Sequence, residues 1–260
     1  MPRRLAQVED ADHRSPPMPP FRSVIFDCDS TLTRIEGIDL LAGPLHEDSR
    51  RLTELAMSGT VRLEEIYGRR LALIAPTRDQ VAEVGERYVA EMVPDAAGVV
   101  AALQGEGIDV RILSGGLLPA VLRLARALGV PEWLVGAVNI LFNADGSYAG
   151  FDTTSPLARS GGKLEMVKRW GPSLPRPVMM VGDGATDLET RPGVDLMVAF
   201  AGVVARPAVV AGADAVIRST SLASVLPLAL DHEVPRASAA RALYEQGAAR
   251  LAAQSTERPS

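Results

Sequence analysis

The chain has 260 residues, of which 47% are hydrophobic and 23% charged, and its formal net charge is −5. This length and composition are typical of a globular protein with a substantial core, and the acidic balance argues against a general nucleic-acid binder, which would carry a basic surface. No apolar run reaches the roughly 18 residues of a membrane span, and the single cysteine excludes an internal disulfide.

The first segment, residues 1–20, is polar and rich in proline, so we expect a disordered tail. It has no apolar stretch like that of a secretion signal, and together with the single cysteine this favours a cytoplasmic protein. Ser23–Phe26 then reads as a short buried strand that runs into Asp27.

Residues 38–93 show a helical pattern with almost no strand signal. Apolar side chains recur there at helical spacings, at Leu52, Leu55, Ala56, Leu63 and Ile66. We therefore predict a small helical cap inserted after the first strand, with residues 21–37 and 94–230 forming the core domain. Residues 231–260 carry an extra helix rich in alanine and arginine over 234–253.

Strand and helix patterns alternate after Pro94. We predict helices at 96–105, 117–128 and 163–170, strands at 109–113, 178–181, 195–200 and 215–217, and a hairpin of 138–142 and 147–151 around Asn143-Ala144-Asp145-Gly146. Such alternation indicates an α/β fold, a doubly wound parallel sheet with helices on both faces.

Polar residues follow three of the predicted strands. The first strand is followed by Asp27-Cys28-Asp29-Ser30-Thr31, the second by Ser114-Gly115-Gly116, and the third by Gly182-Asp183-Gly184-Ala185-Thr186-Asp187. Lys163 opens the helix before the third strand. Since ligands bind beyond the carboxyl ends of parallel strands, we expect these groups to converge on one edge.

The carboxylates in this group suit phosphoryl transfer. Asp27 could attack phosphorus and form an acyl phosphate, which splits one difficult step into two. Asp29 would protonate the leaving alkoxide and then activate water. Asp183 and Asp187, four residues apart, could aim at one Mg²⁺, an ion that prefers carboxylates and water; Asp187 could instead bond backbone near the helix start.

The remaining groups suit phosphate binding. Lys163 would offset charge around the nucleophile, and Ser114 with the Gly115 amide could bind phosphate oxygens. More ordinary roles are a solvated lysine and a helix-capping serine. Cys28 alternates in direction with Asp27 along an extended segment, so we expect it to pack in the core.

Together these four motifs, in this order, resemble those of the haloacid dehalogenase superfamily and, within it, of the phosphoserine phosphatases. The resemblance runs from about Phe21 to Leu228. The closer similarity lies in Glu36–Asp39, Arg70–Ile74, Gly150–Asp152 and Ser160–Lys163. It implies a Rossmann-like core and hydrolysis of O-phospho-L-serine, the last step of serine biosynthesis, through an aspartyl-phosphate.

The resemblance also implies roles for single residues. Glu36 would hold the substrate ammonium, Arg70 its carboxylate, and Met57 would line the apolar side, with Thr186 and Arg206 also close to substrate. Mg²⁺ would be bound by Asp27, the Asp29 backbone carbonyl and Asp183, with Asp187 as a further ligand. The implied partner is a small phosphoester, with no nucleic acid or membrane, for a monomer or homodimer.

Three alternatives stay open at this point. Ser58 stands where the resemblance would place a glycine, so the substrate could be another small phosphorylated metabolite, or the phosphoryl group could pass to an alcohol such as homoserine. Glu36 and Arg70 could be surface charges. A metabolite-binding protein without catalysis would use the same fold.

Overall fold

The computed structural model describes residues 21–43, 47, 51–52, 63–231 and 233–256. Residues 1–20 and much of the predicted cap, including Met57 and Ser58, lie outside the described residues. None of the described helices combines the length and the apolar character needed to cross a bilayer.

Six parallel strands form the main sheet, in the order β3-β2-β1-β6-β7-β8. Their bounds are β1 Ser23–Phe26, β2 Asp109–Leu117, β3 Val135–Val138, β6 Val178–Gly182, β7 Leu196–Phe200 and β8 Ala215–Ile217. All residues of β1 and β6 are buried, as expected for central strands covered on both faces. A separate antiparallel hairpin joins β4 (Ile140–Phe142) to β5 (Tyr148–Phe151).

Helices flank this sheet, and we number those in the described residues in chain order. They are α1 Gly37–Ala42, α2 Leu63–Ile74, α3 Arg78–Ala90, α4 Ala96–Gly105, α5 Leu118–Ala127, α6 Gly162–Trp170, α7 Ala185–Leu188, α8 Pro207–Gly212, α9 Val225–Ala229 and α10 Ser238–Thr256. The predicted doubly wound α/β fold is therefore confirmed.

The strand order places a topological switch point at the centre of the sheet. From β1 the chain proceeds outward through β2 and β3, then returns to β6 on the other side of β1. Phe26 pairs with Val181, and the Asp27 amide donates to the Val181 carbonyl at 2.9 Å. Asp27 and Asp183 thus emerge side by side at the edge where such folds bind ligands.

Two predicted strands differ from the structure. Strand β2 continues through Ser114 to Leu117 rather than ending at Leu113, because Leu117 pairs with Val138 past an irregularity in the ladder. Val138 consequently belongs to β3 of the main sheet, a strand that we did not predict, and the hairpin begins only at Ile140.

Helix α3 begins at a capping box, in which Thr77 Oγ1 accepts from the Gln80 amide and the Gln80 side chain accepts from the Thr77 amide. Its buried face, which includes Val84 and Tyr88, packs against α5 and α1. A helix within the predicted cap segment therefore contacts a helix that flanks the sheet. The boundary near Pro94 remains our proposal for the division of the chain.

Helix α10 packs against α9, α4 and the turn that precedes α9. The Tyr244 hydroxyl donates to the Asp231 carbonyl at 2.8 Å. The side-chain amide of Gln254 donates to the backbone carbonyl of Val216 in β8, the edge strand of the sheet. The terminal helix thus extends the core at the β8 edge, and we propose residues 231–260 as an addition to the core domain.

Candidate active site

The predicted nucleophile and the predicted lysine are in direct contact. Lys163 Nζ lies 2.6 Å from Asp27 Oδ1 and 2.6 Å from Asp187 Oδ1. The three residues are buried, with Asp187 at 0% exposure. Buried charges of this kind require a partner, because an unpaired ion inside a protein costs several kcal/mol. The lysine therefore bridges two carboxylates that would otherwise repel each other.

This arrangement sets the protonation of the pair. Burial raises the pKa of Asp27 to about 7, and the negative charge of Asp187 adds to that effect, while Lys163 opposes it. Burial works against the charged form of Lys163, yet Asp187 and Asp27 hold its pKa above the usual range. Lys163 is therefore a permanent cation in the site, whereas the raised pKa of Asp27 lets its carboxylate gain or lose a proton near neutral pH.

Asp187 has both carboxylate oxygens engaged. Oδ1 accepts from Lys163, and Oδ2 accepts from the Gly184 amide at 2.9 Å. A Cβ at Gly182 would lie 2.3 Å from Asp187 Cγ, so only glycine lets the carboxylate pass behind the strand end. These contacts give Asp187 a role in fixing the lysine and the loop.

Asp183 lies opposite Asp27 across the switch point. Its Oδ1 accepts from Thr31 Oγ1 at 3.1 Å, and its Oδ2 forms an ion pair with the Arg206 guanidinium. Carboxylate oxygens of Asp27, Asp183 and Asp187 all lie within 4.8 Å of one another, and all three residues are buried. Such a group of oxygen donors fits a hard divalent cation, so these residues could hold a metal.

Asp29 lies at the mouth of the same site. Its Oδ1 accepts from the Gly37 amide at 2.7 Å and from the Tyr88 hydroxyl at 2.6 Å. The pKa of Asp29 is raised to about 7, first by burial and then by the charges of Glu36 and Asp27, while the two hydrogen bonds oppose the rise. A carboxyl with a pKa near the working pH can both give and take a proton.

The last residues of strand β2 supply polar groups on the other side. Ser114 is fully buried and its Oγ accepts from the Gly116 amide at 2.9 Å. Gly115 lines the cleft, and its carbonyl accepts from the Tyr67 hydroxyl of α2 at 2.9 Å. The Tyr67 ring also meets Phe151 of the hairpin edge-on, 5.3 Å between centroids. Tyr67 therefore joins helix α2 to the end of strand β2 and to the hairpin.

Five of the predicted substrate-binding residues line one cleft of about 740 Å³: Glu36, Arg70, Gly115, Thr186 and Arg206. Glu36 accepts from Ser30 Oγ at 2.6 Å and lies 3.4 Å from Arg206. Arg70 forms an ion pair with Asp39. Ser114 and Asp187 are fully buried and do not line the cleft, but they bond to Gly116 and Lys163, which do. Met57 lies outside the described residues.

Residues 21–191 match the haloacid dehalogenase-like hydrolase family. The chain belongs to the haloacid dehalogenase-like hydrolases. Within this family, it is 39% identical over 197 residues to the chloroplastic phosphoserine phosphatase of Arabidopsis thaliana, covering 74% of this chain and 67% of that protein. It is 37% identical over 187 residues to the phosphoserine phosphatase of Homo sapiens, covering 71% and 83%.

Solved structures agree with this membership. A phosphoserine phosphohydrolase-like protein from Francisella tularensis superposes with a TM-score of 0.70 at 26% identity, over 82% of this chain and all of that one. A substrate-bound phosphoserine phosphatase complex superposes with a TM-score of 0.68 at 25% identity, covering 80% and 97%. Phosphatases of this haloacid dehalogenase-like family are generally metal-dependent, which agrees with the carboxylates of the switch point.

Several contacts of this haloacid dehalogenase-like site were not predicted. Thr31 holds Asp183, Ser30 holds Glu36, and Tyr67 and Tyr88 reach in from α2 and α3. Thr31 and Ser30 lie within the first motif, and Ser30 has a left-handed backbone (φ 53°), which is uncommon for a residue other than glycine. The tyrosines occupy buried helix positions that sequence alone assigns to the core.

Proposed function

We propose that this protein hydrolyses O-phospho-L-serine to serine and phosphate through an aspartyl-phosphate on Asp27. The observation that carries the proposal is the placement of Asp27 beside Lys163, at 2.6 Å, and across from Asp183 at the switch point. Relatives matched over most of their length are phosphoserine phosphatases, which supports the choice of substrate.

The first step would use Asp27 as nucleophile and Asp29 as acid. The described hydrogen bonds to the Asp27 carboxylate converge on Oδ1, from Lys163 and from the Cys28 amide at 2.7 Å. Oδ2 is therefore the oxygen that would attack phosphorus. As the new phosphorus–oxygen bond forms, the ester bond breaks and its electron pair goes to the serine oxygen, which takes the proton from Asp29.

The second step would use water. Asp29, now ionised, would accept a proton from a water molecule as that water attacks phosphorus. The bond to Asp27 then breaks, and phosphate leaves with the aspartate regenerated. Lys163, Ser114 and the Gly115 amide would bind the phosphoryl oxygens and stabilise the charge that builds up on them.

Magnesium is the cofactor that we propose. Asp27, Asp183 and the backbone carbonyl of Asp29 would hold the ion, with Asp187 behind them. When bound, Mg²⁺ supplies positive charge that offsets the repulsion between an anionic nucleophile and an anionic ester. The charges in the described site support it, because five carboxyl groups cluster there, those of Asp27, Asp29, Asp183, Asp187 and Glu36. Their described ion pairs are with Lys163 and Arg206.

The amino-acid part of the substrate would be held by Glu36 and Arg70. Glu36 would bind the ammonium group, and Arg70 would exchange its ion pair with Asp39 for the substrate carboxylate. Bidentate binding of a carboxylate is the geometry that guanidinium favours. The single cysteine supports a cytoplasmic location for this reaction.

The experiment is phosphate release from O-phospho-L-serine with Mg²⁺, comparing the wild type with Asp27→Asn and Arg70→Ala. We expect Asp27→Asn to be inactive, and Arg70→Ala to lose phosphoserine turnover while it still cleaves a phosphoester without a carboxylate. Arg126→Ala, which removes an exposed arginine of α5 that pairs with Glu132, is the matched control and should behave like the wild type.

The outcomes separate mechanism from substrate. Asp27-dependent cleavage of other phosphoesters, with no turnover of phosphoserine, would overturn the substrate and keep the mechanism. A panel that includes homoserine as acceptor identifies transfer to an alcohol. If no phosphoester is cleaved above the buffer rate, the catalytic proposal fails.

A further inference from the structure

Tyr88 places a phenol against the proposed acid–base residue. The residue lies in the last turns of α3, on the face that buries Val81, Val84 and Gly85, and its side chain is 1% exposed. Its hydroxyl donates to Asp29 Oδ1 at 2.6 Å. Tyr88 is not among the residues that line the cleft, so it lies behind Asp29 as seen from the substrate.

The hydrogen bonds on Asp29 divide its two oxygens. Oδ1 receives the Tyr88 hydroxyl and the Gly37 amide, at 2.6 and 2.7 Å. A Cβ on Gly116, near the end of β2, would lie 3.0 Å from Asp29 Oδ2, 3.0 Å from Ser114 Oγ and 3.4 Å from Tyr88 Oη, so Oδ2 lies against this end of the strand. The described hydrogen bonds thus anchor Oδ1 through two donors, while Oδ2 lies beside the residues that we propose to bind phosphate.

The backbone on the opposite side makes room for the phenol. A Cβ on Gly37 would lie 2.0 Å from Tyr88 Oη and 2.8 Å from its Cζ, both too close for van der Waals contact. Any other residue at this position would push the ring off Asp29. Gly37 donates its amide to Asp29 and, lacking a side chain, leaves space beside it. The Tyr88 hydroxyl fills that space.

We propose that Tyr88 is a positioning residue for the reaction: it fixes the plane of the Asp29 carboxyl so that Oδ2 carries the proton toward the leaving oxygen. This rests on the proposed function, in which Asp29 protonates the departing alkoxide. Without the phenol, the carboxyl keeps only the Gly37 amide and turns about its side-chain torsions. The loss of alignment of the Asp29 carboxyl then slows phosphoryl transfer from a substrate whose leaving oxygen needs a proton. It does not slow transfer from a substrate whose leaving group departs without one.

The leaving group provides the test. An alkoxide such as that of serine needs a proton as it departs, whereas acetate, the leaving group of acetyl phosphate, departs as a stable anion. We would measure single-turnover formation of the aspartyl-phosphate by rapid quench with each substrate in the presence of Mg²⁺. The variants are Tyr88→Phe, Gly37→Ala and, as matched control, Tyr244→Phe, which also removes a buried hydroxyl that donates to a carbonyl.

We expect Tyr88→Phe to slow phosphorylation by phosphoserine about 10-fold or more and phosphorylation by acetyl phosphate less than about 2-fold. Gly37→Ala, which displaces the ring and leaves the hydroxyl in the chain, should show the same selectivity. Tyr244→Phe should leave both rates unchanged. Equal losses with both substrates would mean a purely structural role and would overturn the proposal, as would no loss with either.

Failure of the proposed function is distinguishable from failure of this inference. In the first case the wild type itself forms no Asp27-dependent phosphoenzyme from phosphoserine, and the comparison is then made with the alkyl phosphate that it does cleave. If the wild type forms a phosphoenzyme with no phosphoester, both proposals fall together. If only this inference fails, the wild type forms the phosphoenzyme, but Tyr88→Phe does not slow phosphorylation by phosphoserine more than phosphorylation by acetyl phosphate.

Discussion

Lys163 contacts two carboxylates, those of Asp27 and Asp187, while it is only 4% exposed. Lys163→Met should lower phosphate release by at least about 100-fold, because a cation that binds the transferred group is lost. It should also cost about 3–5 kcal/mol of unfolding free energy, since two buried carboxylates lose their partner. Urea titrations and turnover assays measure the two effects.

Lys168 provides the control for this experiment. It lies on the same helix, α6, and is exposed. Lys168→Met should leave both activity and unfolding free energy nearly unchanged. An active Lys163→Met enzyme would contradict the proposed role of the lysine.

Asp27 should make the stability of the metal-free protein depend on pH. Its pKa is raised from 3.8 to about 7, so between these values the folded state binds a proton that the unfolded state has lost. The unfolding free energy therefore falls as pH rises through this window, and Asp27→Asn should reduce that fall by about 2.6 kcal/mol between pH 5 and pH 8. Urea titrations in EDTA at pH 5 and pH 8 measure it.

Asp145→Asn is the control for the pH experiment. Asp145 is exposed on the hairpin turn, and hydrogen bonds from Ser147 hold its pKa below the usual range. It is therefore ionised in both states between pH 5 and pH 8. The same pH dependence in Asp27→Asn and in the wild type would contradict the assignment to Asp27.

The sequence predicted the site at residue level wherever a motif carried the chemistry. Asp27, Lys163 and Asp183 were named from strand ends and helix starts, and they meet in the structure. Tyr88 could not be found in this way. Its spacing from Val81 and Val84 is that of any buried helix face, and only the packing of α3 against α5 and α1 in three dimensions shows that its hydroxyl reaches a carboxylate.

At the level of elements, helix α3 presents Tyr88 to the site, so its stability affects the position of Asp29. Thr77→Ala should destabilise the protein by about 1 kcal/mol, because the reciprocal bonds between Thr77 and Gln80 are lost at the start of the helix. Chemical denaturation measures it. Thr77→Ser keeps the hydroxyl and should change stability by only a few tenths of a kcal/mol; an equal loss in both variants would contradict a capping role.

Element boundaries were predictable where a helix or strand had clear stops. Helix α4 and strand β8 have the predicted bounds, because apolar runs there end at polar or glycine residues. Strand β3 was missed because Val135-Gly136-Ala137-Val138 is short and contains glycine, which weakens a strand signal. Pairing with β2 supplies what the local sequence does not.

For the whole molecule, the carboxylate cluster should couple metal binding to folding. Magnesium that binds only the folded state adds about 2.7 kcal/mol at a concentration 100 times its dissociation constant. Thermal melts with and without Mg²⁺ should therefore show a rise in Tm for the wild type and a much smaller rise for Asp183→Asn. Asp145→Asn should keep the full rise, and an equal rise in Asp183→Asn would contradict the proposed metal site.

The strand order has a consequence for the order of events during synthesis. Strand β1 leaves the ribosome before either of its two neighbours, β2 and β6, which follow it in the chain. A nascent chain halted before Val178 carries Asp27 but not its partner Asp183, so it holds a nucleophile with an incomplete metal site. Closure over such sequence separations is slow, and the emerging polypeptide acquires its chemistry only when β6 inserts beside β1.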